Sequence, residues 1–351
     1  MRATLPVRVR RLSGVLAALV LLAGPVAAPA PAAPATLDQS ALLGQVVPGL
    51  VDINTNLSYQ GAVGSGAGIV LNPNGEVLTN NHVIEGATEI TALSLANSRS
   101  YAVDVIGFDR ANDIALVRLR GAEGLPTAAL GTSSSIAVGD PIAAIGNSDG
   151  LEGSPSFAPG TVTQLGASVR ASDESGGGTR QLNDLIRVAA DIRPGDSGGP
   201  LVNSAGQVVG VTVAATLTYR MGDVTGGEGF AIPIDRAMGI ANQIRTGAPS
   251  PSIHLGDTAF IGVGIADPLP FSGGPPGAVV RQVLPDTPAR AAGLVSGDVI
   301  TAVDGFPISA AADLSGIMDQ RRPGDTITLT WIDRGGILRS APLVLARGPV
   351  G

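Results

Sequence analysis

The chain contains no cysteine and no lysine, only two histidines, and few aromatic residues. Without cysteine there is no disulfide, no thiol nucleophile and no Cys-ligated zinc or iron–sulfur site. His82 and His254 are too few for a multi-histidine metal centre, so no metal or cofactor is expected. The missing lysine reads as the codon bias of a GC-rich bacterial genome rather than as physics. Scarce aromatics, set against 49 glycines and 26 prolines, favour many turns and short strands over long helices. Basic runs are also lacking. The formal charge is −7, and an acidic chain without basic clusters has no electrostatic footprint for nucleic acid or anionic lipid.

Long apolar runs are absent apart from one near the N-terminus. Arg2, Arg8, Arg10 and Arg11 precede an apolar stretch over residues 12–23, and Ala33-Pro34-Ala35 offers a small-residue cleavage site. Residues 1–35 are therefore expected to be an export signal. An uncleaved anchor is the alternative, although the run is short against the ~20 residues of a membrane span. Removing residues 1–35 takes away four arginines and no acids, which leaves a mature net charge of −11. The expected location is outside the cytoplasm, secreted or at a bacterial cell envelope.

With 351 residues, two or three domains are possible. From residue 50 to about 233 the pattern is short, alternating and β-branched. Residues 67–71 and 76–79 read as strands around the turn Asn72-Pro73-Asn74-Gly75. Residues 100–108, 114–119, 141–145, 160–165 and 208–213 read likewise, and the sum is an antiparallel barrel or sandwich. Only 236–245 looks helical in this half. Residues 172–178 and 222–229 read as loops. Thr-Gly-Ala-Pro-Ser-Pro at 246–251 cannot hold a regular element, and residues 248–258 read as a linker. Residues 259–347 form a smaller α/β unit with helices near 288–292 and 311–319. The expected domains are thus 36–247 and 259–347.

The chemistry concentrates in Gly195-Asp196-Ser197-Gly198-Gly199-Pro200. Glycines beside a serine let the backbone turn tightly and bring main-chain N–H groups to a substrate carbonyl, as an oxyanion hole requires. Gly195, Asp196 and Ser197 form that segment, with the N–H groups of Gly195 and Ser197 as donors. A serine needs a neighbouring base, and His82 is the only histidine in the expected barrel region. It stands in Thr79-Asn80-Asn81-His82-Val83, at the end of a hairpin strand. Asp113, in Asn112-Asp113-Ile114-Ala115-Leu116, opens an apolar strand, where a carboxylate is costly without a partner. An Asn-Asp turn before a strand is the plainer reading. The glycine-rich run 64–68 leads into a hairpin rather than a helix, so it is not a dinucleotide loop.

Taken together, these three motifs in the order His, Asp, Ser resemble the HtrA (DegP/DegQ/DegS-like) family of trypsin-like serine proteases, most closely its exported actinobacterial members with one PDZ domain. Val63-Gly64-Ser65-Gly66, Ala144-Ile145-Gly146-Asn147 and Gly229-Phe230-Ala231-Ile232-Pro233 add to the resemblance, which covers residues 46–347. It implies a mainly β protein: a chymotrypsin-like pair of six-stranded β-barrels followed by a small α/β PDZ domain. It also implies a His82–Asp113–Ser197 triad. Further south, Gly277-Ala278-Val279-Val280, Ala292-Gly293-Leu294 and Gly297-Asp298-Val299-Ile300 resemble a bacterial PDZ domain. Phe260-Ile261-Gly262-Val263 is then the loop that binds a peptide's terminal carboxylate. Leu314 and Met318, four residues apart on a helix, either line its groove or belong to its core.

Two features depart from the family. Asp191, six residues before Ser197, stands where relatives carry a small apolar residue. In the trypsin-like branch a carboxylate there forms the floor of S1 and selects basic residues. Arg193 nearby can neutralise it, and Ile192, Val213 and Ala215 then leave an S1 pocket for small aliphatic side chains. Ala67 replaces an aromatic, and the N-terminal segment lacks the aromatics that hold relatives as a homo-trimer. The expected function is an endopeptidase acting on unfolded or damaged exported proteins, its PDZ domain binding peptide C-termini and regulating activity. A silent chaperone or PDZ scaffold is the alternative. An esterase is disfavoured, because its serine elbow leads into a helix and here a strand pattern follows.

Overall fold

The computed structural model describes residues 37–147, 154–173, 179–213, 219–221, 227–248, 250, 252–268 and 274–351. The export signal expected over 1–35, residue Ala215 and most of the two expected loops lie outside them.

Helix α1 (Gln39–Val46), capped by Asp38 through Ala41 N–H, leads into the first barrel. Its strands are β1 (Leu50–Leu57), β2 (Ala62–Asn72), β3 (Glu76–Thr79), β4 (Glu89–Ser94), β5 (Ser100–Asp109) and β6 (Ile114–Leu119). They pair antiparallel in the order β5-β4-β1-β2-β3-β6, and β6 returns to β5, so the sheet closes on itself. The second barrel repeats the plan with β7 (Pro141–Gly146), β8 (Ser156–Asp173), β9 (Thr179–Ala189), β10 (Pro200–Asn203), β11 (Val208–Val213), β12 (Tyr219–Met221) and β13 (Gly229–Pro233). There the order is β8-β7-β10-β11-β13-β9, closed by β8–β9, with β12 added at β8. Closure removes sheet edges, which long β-branched strands need in water.

Each barrel has its own core. Val51, Ile53, Val70, Val77, Phe108, Val117 and Leu119 fill the first; Ile142, Val162, Val188, Leu201 and Val209 fill the second. Close packing in the first barrel demands glycine at 68: a Cβ there would lie 2.5 Å from Val77 Cγ1. A larger cluster joins the barrels, in which Leu50, Ile69, Leu78 and Leu116 of the first meet Ile145, Leu185, Val211 and Val213 of the second. Helix α3 (Ile234–Thr246) completes it with Ile240 and Ile244, and stops where Gly247 takes φ +63°. Each such side chain contributes about 1.5–3 kcal/mol by burial, so the two barrels meet through an apolar contact rather than a wet seam.

Beyond α3, β14 (Ile253–Leu255) adds to β5 of the first barrel, inside the segment read as a linker. The last unit comprises β15 (Ala259–Phe260), β16 (Val263–Ala266), β17 (Ala278–Val283), α4 (Pro288–Ala291), β18 (Val299–Val303), β19 (Phe306–Pro307), α5 (Ala311–Met318), β20 (Thr326–Ile332), β21 (Leu338–Val344) and β22 (Ala346–Arg347). Its sheet runs β16-β17-β18-β20-β21, and Val280, Leu294, Ile300, Leu329 and Trp331 make its core.

Three expectations need correction. His82 does not end a strand; it lies in a one-turn helix, α2 (Asn81–Ile84), closed by Glu85 N–H to Asn81 O at 2.9 Å. The strand read over 160–165 is the middle of an 18-residue strand whose partner β9 was not foreseen. Gly166, at φ +70°, marks a register shift there and looks like a strand end in sequence. Leu314 and Met318 are only 2% and 8% exposed and belong to the core, because α5 turns that face onto the sheet.

One buried charge stands apart. Asp52 on β1 is 4% exposed, and burial pushes its carboxyl from 3.8 up to about 6. The folded chain therefore holds this proton more tightly than the unfolded chain. Stability from this group is present below pH 3.8, declines as the pH rises towards 6, and is absent above that. The full shift corresponds to about 3 kcal/mol, which solvent screening reduces to roughly 1–2 kcal/mol. Asp52→Asn is expected to gain that amount at pH 7 and almost nothing at pH 4. Urea unfolding at the two pH values checks this, and equal gains at both would refute it.

Candidate active site

Residues from the two barrels converge at one point. From the first come His82, on α2 after β3, and Asp113, in the turn between β5 and β6. From the second comes Ser197, in the turn before β10. His82 Nδ1 lies 2.8 Å from Asp113 Oδ2, and His82 Nε2 lies 2.9 Å from Ser197 Oγ. A carboxylate only accepts, so Nδ1 carries the hydrogen and Nε2 is left to accept from the serine hydroxyl. The imidazole is 3% exposed and Asp113 is fully buried.

Asp113 is held from several sides. Its Oδ1 accepts the backbone N–H of His82 at 3.0 Å, and its carbonyl accepts Asn80 Nδ2 at 3.0 Å. Its φ is +56°, a left-handed conformation that Asp and Asn tolerate better than most residues. Upstream, Asp109 accepts Asn112 N–H at 3.0 Å and Asn112 Nδ2 at 2.7 Å, which closes the turn. The plainer reading of Asn112-Asp113 as a turn and the reading as a histidine partner are thus both realised, by the same residues. Asn80, fully buried, was missed; its signal was only its place two residues before His82.

The serine turn is equally constrained. Asp196 N–H donates to Arg193 O at 3.0 Å, Pro194 occupies the second position and Gly195 the third with φ +99°. These are the marks of a type II turn, which requires a residue tolerant of positive φ at that position. Asp196 N–H is spent inside this turn, so within the segment 195–197 it is not available to a substrate. Its side chain holds the turn instead: buried, it accepts Arg193 N–H at 2.9 Å and the Ser156 hydroxyl. Ser156 was not anticipated. Gly198 has φ +82°, and a Cβ there would lie 2.2 Å from both Ala67 O and Thr79 Oγ1. Ala67 N–H in turn donates to Ser197 O at 2.8 Å.

The expected S1 residues divide. The Asp191 side chain is 61% exposed and accepts Arg193 Nε at 2.9 Å, so its charge is paired at the surface. Ile192 packs over Gly229, where a Cβ would lie 2.3 Å from its Cδ1. Val213 is fully buried in the cluster between the barrels.

In the C-terminal unit, Ile261 is buried, its carbonyl accepting Ala289 N–H, and Gly262 has φ +86° with its carbonyl accepting Leu284 N–H. Val263 begins β16 opposite Val283. The Phe260 ring centroid lies 5.5 Å from that of Tyr59 in the first barrel. This is one of several ties to that barrel. Arg110 makes a bidentate pair with Asp319 at the end of α5, at 2.6 and 3.0 Å. His254 stacks on Phe108, and its Nδ1 lies 3.0 Å from Asp319 O. Val350 N–H donates to Ala87 O at 2.9 Å, just after α2. None of these contacts was foreseen. Among the described residues no group of three or more His, Cys, Asp and Glu is placed to hold a metal.

Comparison with known proteins agrees with this geometry. Residues 66–211 match the trypsin-like peptidase domain family, and residues 238–343 match the PDZ domain family. The chain is 38% identical to the serine protease PepD of Mycobacterium tuberculosis, over 92% of this chain and 70% of that protein. It is 36% identical to the putative serine protease HhoA of Synechocystis, over 73% of this chain and 64% of that one. It is 37% identical to a probable periplasmic serine endoprotease, DegP-like, of Pseudomonas savastanoi, over 77% of this chain and 53% of that one. Among solved structures it resembles the HtrA-type protease AlgW with tripeptide, with a TM-score of 0.51 and 26% identity, over 88% of this chain and 96% of that one.

Proposed function

Because the chain belongs to the HtrA family of trypsin-like serine proteases with a PDZ domain, we propose that it is an exported endopeptidase cutting unfolded proteins with His82, Asp113 and Ser197. The observation that carries this reading is the continuous chain of hydrogen bonds from Asp113 through the imidazole to Ser197 Oγ. The serine oxygen attacks the peptide carbonyl while its proton passes to His82 Nε2. The negative charge that develops on the carbonyl oxygen is held by the N–H groups of Gly195 and Ser197. His82 then hands its proton to the departing amine, leaving an acyl-serine. Water, deprotonated by the same nitrogen, attacks the acyl carbon and releases the new carboxyl end.

Export is supported by the leader-like segment at residues 1–35 and by the printed name of the DegP-like relative, which calls that protein periplasmic. For P1 the aliphatic reading is favoured. Asp191 is engaged by Arg193 at the surface, and Ile192 presents the apolar wall. The PDZ unit is proposed to bind peptide C-termini through residues 260–263. It is also proposed to regulate cleavage, since Asp319 at the end of α5 grips Arg110 three residues before Asp113.

The test is digestion of an unfolded protein by residues 36–351, with products sequenced by mass spectrometry beside a Ser197→Ala control. Cuts after Val, Ala, Ile or Leu that vanish in the control are expected. Cuts after Arg or Lys would return Asp191 to the floor of S1. No cuts from the unaltered chain would leave a chaperone or scaffold.

A further inference from the structure

On β1 the core of the first barrel takes Val51 and Ile53, so Asp52, Asn54 and Asn56 project from the opposite face. Residues paired directly across strands share a face. The register sets Ala67 and Leu93 beside Asp52, Ser65 and Thr91 beside Asn54, and Val63 and Glu89 beside Asn56. A pocket of about 370 Å³ opens over the two outer rows, with Asn54, Asn56, Val63, Ser65, Glu89 and Thr91 in its lining. The Asp52 row is the next one along the strands on the same face, two residues before Asn54, and does not itself line the pocket.

The hydrogen-bonding character of this face is one-sided. The Asp52 side chain has neither a hydrogen bond nor an ion pair with any described residue, although the residue is only 4% exposed. Asn54 Oδ1 is also buried without a partner. Ser65 and Thr91 add hydroxyl oxygens, and Glu89 places a second carboxylate at the outer rim. No lysine or arginine belongs to these three rows. An amide oxygen buried without a partner costs free energy that a donor from a ligand would recover, and the Asp52 carboxyl beside it on the same face is likewise without a donor among the described residues.

What is lacking is a compact cation with several hydrogens to donate. A primary ammonium offers three donors on a flexible apolar stem. The stem suits the Val63 and Thr91 side of the pocket, and the donors suit Asp52, Asn54 Oδ1 and a hydroxyl. The chain itself contains no lysine, so it cannot fill the pocket from within. The Asp52 end of this face is close to the reacting serine, because Ala67, the register partner of Asp52, holds Ser197 O through its N–H. We propose that this face of β1, β2 and β4 binds the side-chain ammonium of a lysine on a polypeptide lying in the active cleft, away from P1. The identity of that polypeptide as a substrate rests on the proteolytic reading above; the ammonium site does not.

The test is binding measured in the full mature chain carrying Ser197→Ala, where no cleavage occurs and the two readings fail separately. The probes are capped Ala-Lys-Ala and capped Ala-norleucine-Ala, followed by NMR titration of residues 52–56, 63–67 and 89–93. The lysine peptide is expected to bind at least tenfold more tightly than its uncharged counterpart, with shifts confined to those residues. Adding Asp52→Asn is expected to erase the difference. Adding Asn54→Leu instead is expected to reduce it, and this variant decides the matter if Asp52→Asn fails to fold. Equal affinity for the two peptides, or a lysine preference that survives both substitutions, overturns the proposal.

Discussion

Asp113→Asn is expected to lower kcat about ten-thousand-fold while leaving the fold and KM nearly untouched. The reason lies in how the two carboxylate oxygens are committed. Oδ1 accepts the backbone N–H of His82, which can only donate, and Oδ2 faces His82 Nδ1. An asparagine must keep its oxygen at the backbone N–H, and so turns its NH2 towards Nδ1. The imidazole can meet a donor there only by giving up the Nδ1 hydrogen and carrying it on Nε2. Nε2 then has nothing with which to accept the serine proton, although no atom has moved. The backbone tolerates the change, since asparagine is at ease at φ +56°. The check is kcat on a fluorogenic peptide, with imidazole tautomers assigned by 15N NMR. A loss smaller than tenfold, or Nδ1 still protonated, sinks this account of the pair.

The second large effect is expected at Gly195→Ala. Gly195 holds φ +99° as third residue of the type II turn that Arg193 O and Asp196 N–H close. A Cβ at positive φ costs about 1–2 kcal/mol. Turning the peptide between residues 194 and 195 over relieves this, because type I and type II turns differ by that flip. The turn survives, but the Gly195 N–H then faces the other way. Loss of one such donor lowers kcat on the order of 10²–10³-fold. Thermal stability should change little, since the flipped turn keeps its closing hydrogen bond. Retention of kcat within about fivefold would mean that the Gly195 N–H is not the donor, and the Proposed function would need another.

The parts of this molecule that were legible in its sequence are those where short-range geometry restricts residue type. Gly198 is the clearest case, since any side chain there strikes Ala67 O and Thr79 Oγ1. The turn at 72–75 was legible for a similar reason, with Gly75 at φ +80°. Features resting on distant partners were not. β14 reads as a linker because its Pro and Ser neighbours are turn formers, and only its pairing with residues 107–109 makes it a strand. The length of β8 was hidden by Pro159, Gly160 and Gly166, ordinarily strand breakers, which the long pairing with β9 overrides. Nothing local distinguishes Arg110 or Asp319 from other surface charges until the fold brings them together. Ser156, likewise, acquires its role only through Asp196.

The attachment of the C-terminal unit has a mechanical meaning. The chain enters it from β14, laid on β5, and leaves it at Val350, bonded to the segment that follows α2. Both fastenings are to the first barrel, at the strand before Asp113 and at the helix of His82. With the Arg110–Asp319 pair and the Tyr59–Phe260 ring contact beside them, the unit is fastened at several points and cannot be drawn away through any one alone. A force on the C-terminal unit is therefore delivered through these ties to the barrel of the base and its carboxylate. A shift of one barrel against the other acts on the hydrogen bonds of the site that cross between them, among them His82 Nε2 with Ser197 Oγ and Ala67 N–H with Ser197 O.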